Sequence, residues 1–349
     1  MSKQPGKRET VLRVLRNRIV RGVYKEKLPG ERTLAVELGA DRKTVETAMA
    51  QLQLLGLVKR EGRRGTFVTS AGEAPGTAGI LSVRLIFLRG RLYPLNLATY
   101  GQFVYAFEKA AREHRESLSV TYAKDAEEAV AMALEYAGVP MCVGTCLCAF
   151  PLETRQQVSL AASSSAYVWA DWDSEEGIIP TVTFDNYGAG VILAEKILRL
   201  GHRRIAGFLV TGPSVNQERR RKGFEETLER VGVGCVSSVD WAEATEGEIE
   251  AVLDSLQRPT AIVCRFADNA FKLMEIARKR GVRVPEDLSV ATFTRAEAPG
   301  PVSRVVFDMA ELGKRAFEML LDEDVVEHSK KVVVPVSYRD EGTLGPAPG

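Results

Sequence analysis

The stretch Leu28–Thr69, LPGERTLAVELGADRKTVETAMAQLQLLGLVKREGRRGTFVT, decides how this chain is read. Its glycines divide it. Leu34, Ala35 and Leu38 stand at helical spacing, and Gly39 stops that helix. Asp41 sits where a side-chain oxygen accepts from a free N–H of the next helix's first turn. From about Arg42 to Leu55, the residues Val45, Ala48, Met49, Leu52 and Leu55 line one face. Arg42, Lys43, Glu46, Thr47 and Ala50 lie away from it. Gly56 closes the helix. Leu57-Val58-Lys59-Arg60 and Gly65-Thr66-Phe67-Val68 then read as a hairpin with the tip Gly62-Arg63-Arg64-Gly65. Such a unit offers nucleic acid a helix for a groove and a basic wing for the backbone. The exposed first turn holds Arg42, Lys43 and Thr44, where a recognition helix meets base edges and phosphates.

Upstream, Val11, Leu12, Leu15 and Ile19 alternate with Arg13, Arg16, Arg18 and Arg21, which predicts an amphipathic helix over about 8–21 that ends at Gly22. Leu28-Pro29-Gly30 is a turn. Residues 1–70 hold 16 Lys and Arg against 7 Asp and Glu, a net +9. The rest holds 31 against 39, a net −8, so the total of +1 hides one basic module joined to an acidic body. A basic module is the footprint of phosphate contacts, and an acidic body beside it confines DNA to one face. A solvated charged surface is the alternative reading.

This order of motifs resembles the winged helix-turn-helix of the GntR family over about residues 8–69. The resemblance implies that Arg32, Arg42, Thr44 and Gly65 touch DNA. Lys43, Arg63 and Arg64 join them by position. The family usually has serine where this chain has Asp41, and often arginine where it has Glu46. Glu46 either accepts from a cytosine amine or sits off the DNA, so the operator is left open.

The 349 residues suffice for two or three domains. At 45% hydrophobic the composition excludes a disordered chain. No apolar run approaches the ~18–20 residues of a membrane helix, and the basic N-terminus lacks the apolar core of a secretory signal. The five cysteines then read as reduced cytosolic thiols, and a cytoplasmic protein without a membrane contact is expected. Residues 71–79, small, polar and Gly/Pro-containing, read as a linker between a 1–70 domain and an 80–349 domain.

From Ile80 strand and helix signals alternate: LSVRLIFL, a helix over 103–114, LSVTYA, 126–137, VPMCVGTCLC, 156–162, AYVWAD, 188–200, RIAGFLV, 218–231, 246–256, AIVC, 270–280, LSVATF and 308–321. Alternation of this kind implies an α/β domain with parallel sheets, whose ligands bind beyond the carboxyl ends of the strands. TVTFDNYGAGVILAEKILRLGHRRIAGFL (residues 181–209), ERRRKGFEETLERVGV and RVPEDLSVATF resemble the effector domain of the LacI/GalR family. That resemblance covers about residues 80–345. It implies a two-lobed, periplasmic-binding-protein-like domain with an effector in its cleft and a dimer contact. The pairing is similar in architecture to arabinose-responsive repressors.

Within that resemblance Arg220, three residues before Gly223-Phe224, is a candidate pocket residue whose guanidinium fork binds two ligand oxygens. Its alternative is a surface arginine in a run of three. Trp241 either stacks on a ligand ring or packs in a core. The family's Asn-Asp pair reads Ala267-Asp268 here, and its GFDD reads Thr292-Phe293-Thr294-Arg295. Asp268, Thr294 and Arg295 are therefore candidates for an altered effector site, with Arg265 near the same strand ends. Sites built on hydrogen bonds to hydroxyls discriminate strongly, so the expected effector is not a plain neutral sugar but either an anionic molecule or a protein-imposed signal.

Cys142, Cys146 and Cys148 share strand parity, which admits either a thiolate cluster or small buried hydrophobes. His202 falls between a helix and a strand, a loop or cap position. Gly188-Ala189-Gly190 lacks the rest of a nucleotide fingerprint. With no nucleophile elbow, P-loop, HExxH or paired carboxylates, no enzyme, cofactor or metal is expected. An enzyme or ligand-binding receptor with an accessory N-terminal module is the alternative. The expectation is a homodimeric transcriptional regulator, a repressor, that binds a pseudo-palindromic double-stranded DNA operator under the control of a small-molecule effector.

Overall fold

A computed structural model describes residues 7–20, 22–54, 56–69, 82–88, 95–114, 116–137, 142–163, 165–174, 177–208, 214–239, 244–294, 300–322 and 330–349. The expected linker over 71–79 lies outside them.

Three helices come first: α1 (Lys7–Val20), α2 (Glu31–Glu37) and α3 (Arg42–Leu54). An antiparallel pair follows, β1 (Val58–Arg60) and β2 (Thr66–Val68), with Lys59 opposite Phe67. The helical period gives this unit its core: Val11, Leu15 and Ile19 meet Leu34, Val45, Ala48, Met49, Leu52 and Val58. Leu55, placed on the inner face by periodicity, lies outside the described residues. The chain before α2 pairs with the hairpin: Leu28 N donates to Thr66 O (2.9 Å), and Val68 N to Glu26 O (2.8 Å). The hairpin tip is a 3-10 turn over Gly62–Arg64. It leaves through Gly65 at φ 109°, a backbone that side chains strongly disfavour.

Beyond it lie two six-stranded sheets. The first holds β3 (Ser82–Leu88), β4 (Ser117–Ala123), β5 (Cys142–Cys148), β6 (Ala166–Ala170), β7 (Thr181–Phe184) and β13 (Lys331–Val334). Its order is β13-β7-β6-β5-β3-β4. The neighbours from β4 through β7 pair in parallel. The second holds β8 (Ile205–Phe208), β9 (Cys235–Val239), β10 (Ala261–Cys264), β11 (Ser289–Thr294), β12 (Ser303–Val306) and β14 (Ser337–Arg339). Its order is β14-β12-β11-β10-β8-β9, parallel throughout except that β14 runs antiparallel to β12. In each sheet the order reverses beside the first strand, at β3 and at β8, which is the doubly wound pattern whose ligands sit at carboxyl strand ends.

The connecting helices are α4 (Leu95–Glu113), α5 (Ala126–Ala137), α6 (Thr154–Ala161), α7 (Asn186–Arg199), α8 (Val215–Glu229), α9 (Glu246–Asp254), α10 (Ala267–Lys279) and α11 (Met309–Leu321). The expected alternation is present, with two differences. Helix α4 begins at Leu95, eight residues before the expected Phe103. Strands β7, β9, β12, β13 and β14 were not among the expected elements. They are three to five residues long, with no more than three consecutive apolar residues each, fewer than the AIVC run of β10.

The chain divides into two compact units, Met1–Tyr93 with Gln102–Val182 and Gly313–Val332, and Pro94–Gly101 with Thr183–Leu312 and Val333–Gly349. One core cluster of the first packs Ile86, Leu147, Phe150, Tyr167 and Trp169 around the sheet. In the second, α7 and α8 approach backbone to backbone. A Cβ on Gly190 would fall 2.0 Å from Arg220 O, and one on Gly223 2.1 Å from Tyr187 O. Only glycine allows that approach.

Candidate functional site

The exposed start of α3 is built by its own cap. Asp41 Oδ1 accepts from Thr44 N at 2.9 Å, and Oδ2 accepts from the Thr44 hydroxyl at 2.6 Å. These bonds favour the ionised form and hold the Asp41 carboxyl below its usual range. The one hydroxyl proton of Thr44 is thereby committed to Asp41. Lys43 and Arg32 are exposed. Arg42 is 61% exposed, with its Nε 3.7 Å from Glu31 Oε2. The other oxygen of Glu31 takes Arg60 Nη2 at 2.9 Å. Glu31 thus ties together the start of α2, the first turn of α3 and the wing strand β1. Glu46 is exposed on α3.

On the wing, Arg64 is 78% exposed and pairs with Glu61 at 2.8 Å. Its guanidinium lies 5.8 Å from the Phe67 ring centroid, and Lys27 Nζ lies 5.6 Å from it. A Cβ at Gly65 would meet Lys27 Cε at 2.8 Å. Arg63 belongs to the 3-10 turn, and its side chain lies outside the described residues. The structure thus brings Arg42, Arg60 and Glu31 together, while Arg64 stands on the wing with Glu61. Sequence reasoning missed Glu31 and Arg60. Both stand in the opening stretch, Glu31 beside Arg32 and Arg60 at the end of Leu57-Val58-Lys59-Arg60, but nothing local links them.

The second candidate site lies in the second unit. Arg220, on α8, is only 4% exposed. Its Nε donates to Asn186 Oδ1 at 2.9 Å. Its guanidinium carbon sits 4.2 Å from the Phe307 ring centroid and 5.9 Å from that of Phe293. Asp185 caps α7 through Gly188 N at 2.8 Å and so fixes Asn186 in the first turn. Thr294 ends β11 half-buried. Asp268 is exposed in the first turn of α10, after β10. Between β10 and α10, Arg265 stacks at 4.6 Å on Phe266. Trp241 and Arg295 lie outside the described residues. The arrangement is a buried, aromatic-flanked guanidinium, suited to receive oxygens of a ligand. Sequence reasoning missed Asn186, Phe307 and Phe293.

Two further features bear on function. Among the described residues, Ala149 (φ 64°) and Asp171 (φ 56°) are the non-glycine residues in the left-handed region. They follow β5 and β6, at the carboxyl ends where such sheets hold ligands. All seven residues of β5 are buried, the three cysteines included. Burial pushes the Cys146 thiol far up, so it stays protonated and behaves as a small hydrophobe. Among the described residues no three His, Cys, Asp or Glu side chains gather as a metal cluster. No helix there is long and apolar enough to cross a membrane.

Comparison with known proteins defines the two parts. Residues 7–68 match the gntR family of bacterial regulatory proteins, and residues 194–340 match a periplasmic binding protein-like domain. The chain therefore carries a GntR-type winged helix-turn-helix followed by a periplasmic-binding-protein-like α/β domain. Over 340 residues, 90% of each chain, it is 27% identical to the arabinose metabolism transcriptional repressor of Geobacillus stearothermophilus. It is 28% identical over 161 residues to the transcriptional repressor CytR of Escherichia coli, 43% of this chain and 47% of that one. With the transcriptional regulator DegA of Bacillus subtilis the figures are 33% over 144 residues, 38% and 42%. The last two matches span less than half of those relatives. A dimeric Lac repressor with an 11-residue C-terminal deletion superposes with a TM-score of 0.63 at 20% identity, over 76% of this chain and 100% of that one. A LacI family regulator from Bifidobacterium animalis subsp. lactis gives 0.64 at 19%, over 76% and 98%. These two likenesses speak for the fold alone.

Proposed function

We propose that this protein is a sequence-specific DNA-binding transcriptional regulator, a repressor, whose operator affinity is set by a small-molecule effector. The observation that carries the reading is the junction at Glu31, which gathers Arg42 of the exposed first turn of α3 and Arg60 of the wing at one acidic residue. A helix start and a wing held in common are what a winged helix needs to engage a groove and its flanking phosphates together. The likeness to named repressors over the winged helix and the sheets supports the same reading.

Arg32, Arg42, Lys43, Thr44, Arg63, Arg64 and Gly65 make the DNA contacts. With its proton held by Asp41, Thr44 contributes through its backbone and methyl group. Two copies bind a pseudo-palindromic operator as a homodimer in the cytoplasm, with no catalysis. The effector meets the second unit at Arg220, and Trp241, Asp268, Thr294 and Arg295 are its further candidate contacts. The buried guanidinium and the Thr294-Arg295 sequence that begins at the last residue of β11 favour an anionic ligand over a neutral sugar. That ligand shifts operator affinity only by binding the two states of the protein unequally.

The test is selection of bound duplexes from random DNA by the full chain, followed by titration. An enriched pseudo-palindrome is expected, with Arg42→Ala losing roughly 1–3 kcal/mol of affinity for it. Failure to enrich any sequence sinks the DNA reading. A thermal-shift screen of phosphorylated, carboxylated and neutral sugars tests the effector separately. Stabilisation by a neutral sugar alone removes the anionic class.

A further inference from the structure

Helix α1 is buried on more than one side. Val11, Leu15 and Ile19 belong to the core of the winged unit. Asn17 stands about 200° around the helix from Leu15 and from Ile19, away from that core, yet it is only 2% exposed. Val14, on the flank, is also buried. Between them Arg16 reaches out of the winged unit altogether: its Nη2 donates to the carbonyl of Cys142, the first residue of β5. Glu116, buried just before β4, lies close enough for its charge to act on Arg16. Burial pushes the Arg16 guanidinium down, opposed first by Cys142 and then by Glu116. Cys142 and Glu116 stand at the starts of parallel strands, the end of the sheet opposite the one that holds ligands in such folds.

We infer that α1 is a two-sided joint: one face belongs to the winged unit, and the other, pinned by the hydrogen bond from Arg16 to the Cys142 carbonyl, docks that unit on the starting edge of the first sheet. The joint positions the winged unit without blocking it, because Arg42 and Arg64 remain 61% and 78% exposed. The orientation of the recognition helix then depends on the sheet and not on the chain connection alone. The joint is also built to open. Neither polar atom of the Asn17 side chain has a hydrogen-bond partner among the described residues, and an amide buried unpaired disfavours the closed form until water returns to it. This inference holds whatever the effector is and does not require an operator to be known.

The experiment is an electron-electron distance measurement on the full chain. Nitroxides are placed at Thr33→Cys on α2 and Ala131→Cys on α5, both exposed positions. Cys235→Ser removes the one native cysteine that is not fully buried. The parent protein is expected to give one narrow distance. Arg16→Met and Glu116→Gln are each expected to lose it for a broad distribution, with an unchanged circular dichroism spectrum. Should Arg16→Met fail to fold, Glu116→Gln decides alone. A broad distribution in the parent, or a narrow one kept in the folded variants, overturns the inference.

Discussion

Glu31 Oε1 accepts a hydrogen bond from Arg60 Nη2 at 2.9 Å across a gap of 29 residues, while its second oxygen faces Arg42 at 3.7 Å. Glu31 is one-quarter exposed, so neither pair is a large stabiliser in water. Its importance is geometric. A guanidinium on a long stem samples many rotamers, and a carboxylate between two of them narrows the range of both before DNA arrives. Glu31 is therefore an organiser of positive charge on the surface proposed to meet DNA.

Replacing Glu31 by Gln tests this. The change removes a negative charge near phosphate, so general affinity for DNA rises. It also frees Arg42 and Arg60, so the advantage of the selected operator over scrambled duplex shrinks. The ratio of the two affinities is expected to fall roughly two- to fivefold, the scale of one or two exposed ion pairs. Gel-shift titrations of both duplexes give the ratio directly, and an unchanged ratio would falsify the organising role.

Asp41 acts in the opposite sense. It caps α3 through Thr44 and at the same time holds the Thr44 hydroxyl proton at 2.6 Å. Serine in its place keeps a capping oxygen, removes one negative charge and leaves that proton available to a phosphate. Asp41→Ser is expected to bind the selected operator roughly two- to fivefold more tightly, with a gain that shrinks as salt rises. Weaker binding at low salt would show that Asp41 itself reads the DNA.

The contrast between these two residues marks how far sequence reaches. The Asp41 cap is legible because donor and acceptor lie three residues apart in a local pattern. The inner face of α3 is legible for the same reason: Val45, Ala48, Met49 and Leu52 recur at the helical period, and all are buried. The alternation of strands and helices after residue 80 is legible from runs long enough to carry a period. Glu31 with Arg60, or Arg220 with Asn186 across 34 residues, leaves no such trace, because only the fold brings them together. The short strand β9, CVSSV, has too few apolar residues to stand out. Arg220 falls in a run of arginines that looks like solvated surface, and its burial follows from the tight approach of α7 and α8.

That approach is open to test. The backbone of Arg220 lies 2.0 Å, and Phe224 N 2.6 Å, from where a Cβ on Gly190 would stand. Neither is a flexible side-chain end, so the helices must separate. Gly190→Ala is expected to destabilise the protein by about 1–3 kcal/mol, the usual cost of overpacking. The separation also draws Arg220 away from Asn186. Thermal or urea unfolding measures the first effect. Gly247→Ala, at a position where a Cβ meets nothing within 4 Å, is the control for a glycine-to-alanine change in a helix. Equal stability of the two variants would refute the tight contact.

His202 yields the pH dependence. It is fully buried between two hydrogen-bond partners, with Nε2 2.9 Å from Gly345 O and Nδ1 2.9 Å from Thr260 Oγ1. A carbonyl only accepts, so Nε2 carries the proton, and the ring ties the C-terminal segment to the Thr260 hydroxyl, whose one proton is shared between Nδ1 at 2.9 Å and Arg204 O at 3.2 Å. Burial disfavours the imidazolium and lowers the His202 pKa, against the smaller opposing effect of the Gly345 carbonyl. The sign follows from linkage. Below about pH 6.5, the ordinary value for His, the unfolded chain takes up a proton that the folded chain declines. The stabilisation is whole above that pH and is lost as pH falls from it toward the lower folded value. One proton limits the slope to about 1.4 kcal/mol per pH unit. Denaturant titrations between pH 7.5 and about pH 5.5 are expected to show this loss in the parent protein. In His202→Gln, which cannot titrate, the protein is less stable at pH 7.5 and the curve flatter by that one proton. An equally steep curve in the variant would place the titrating group elsewhere.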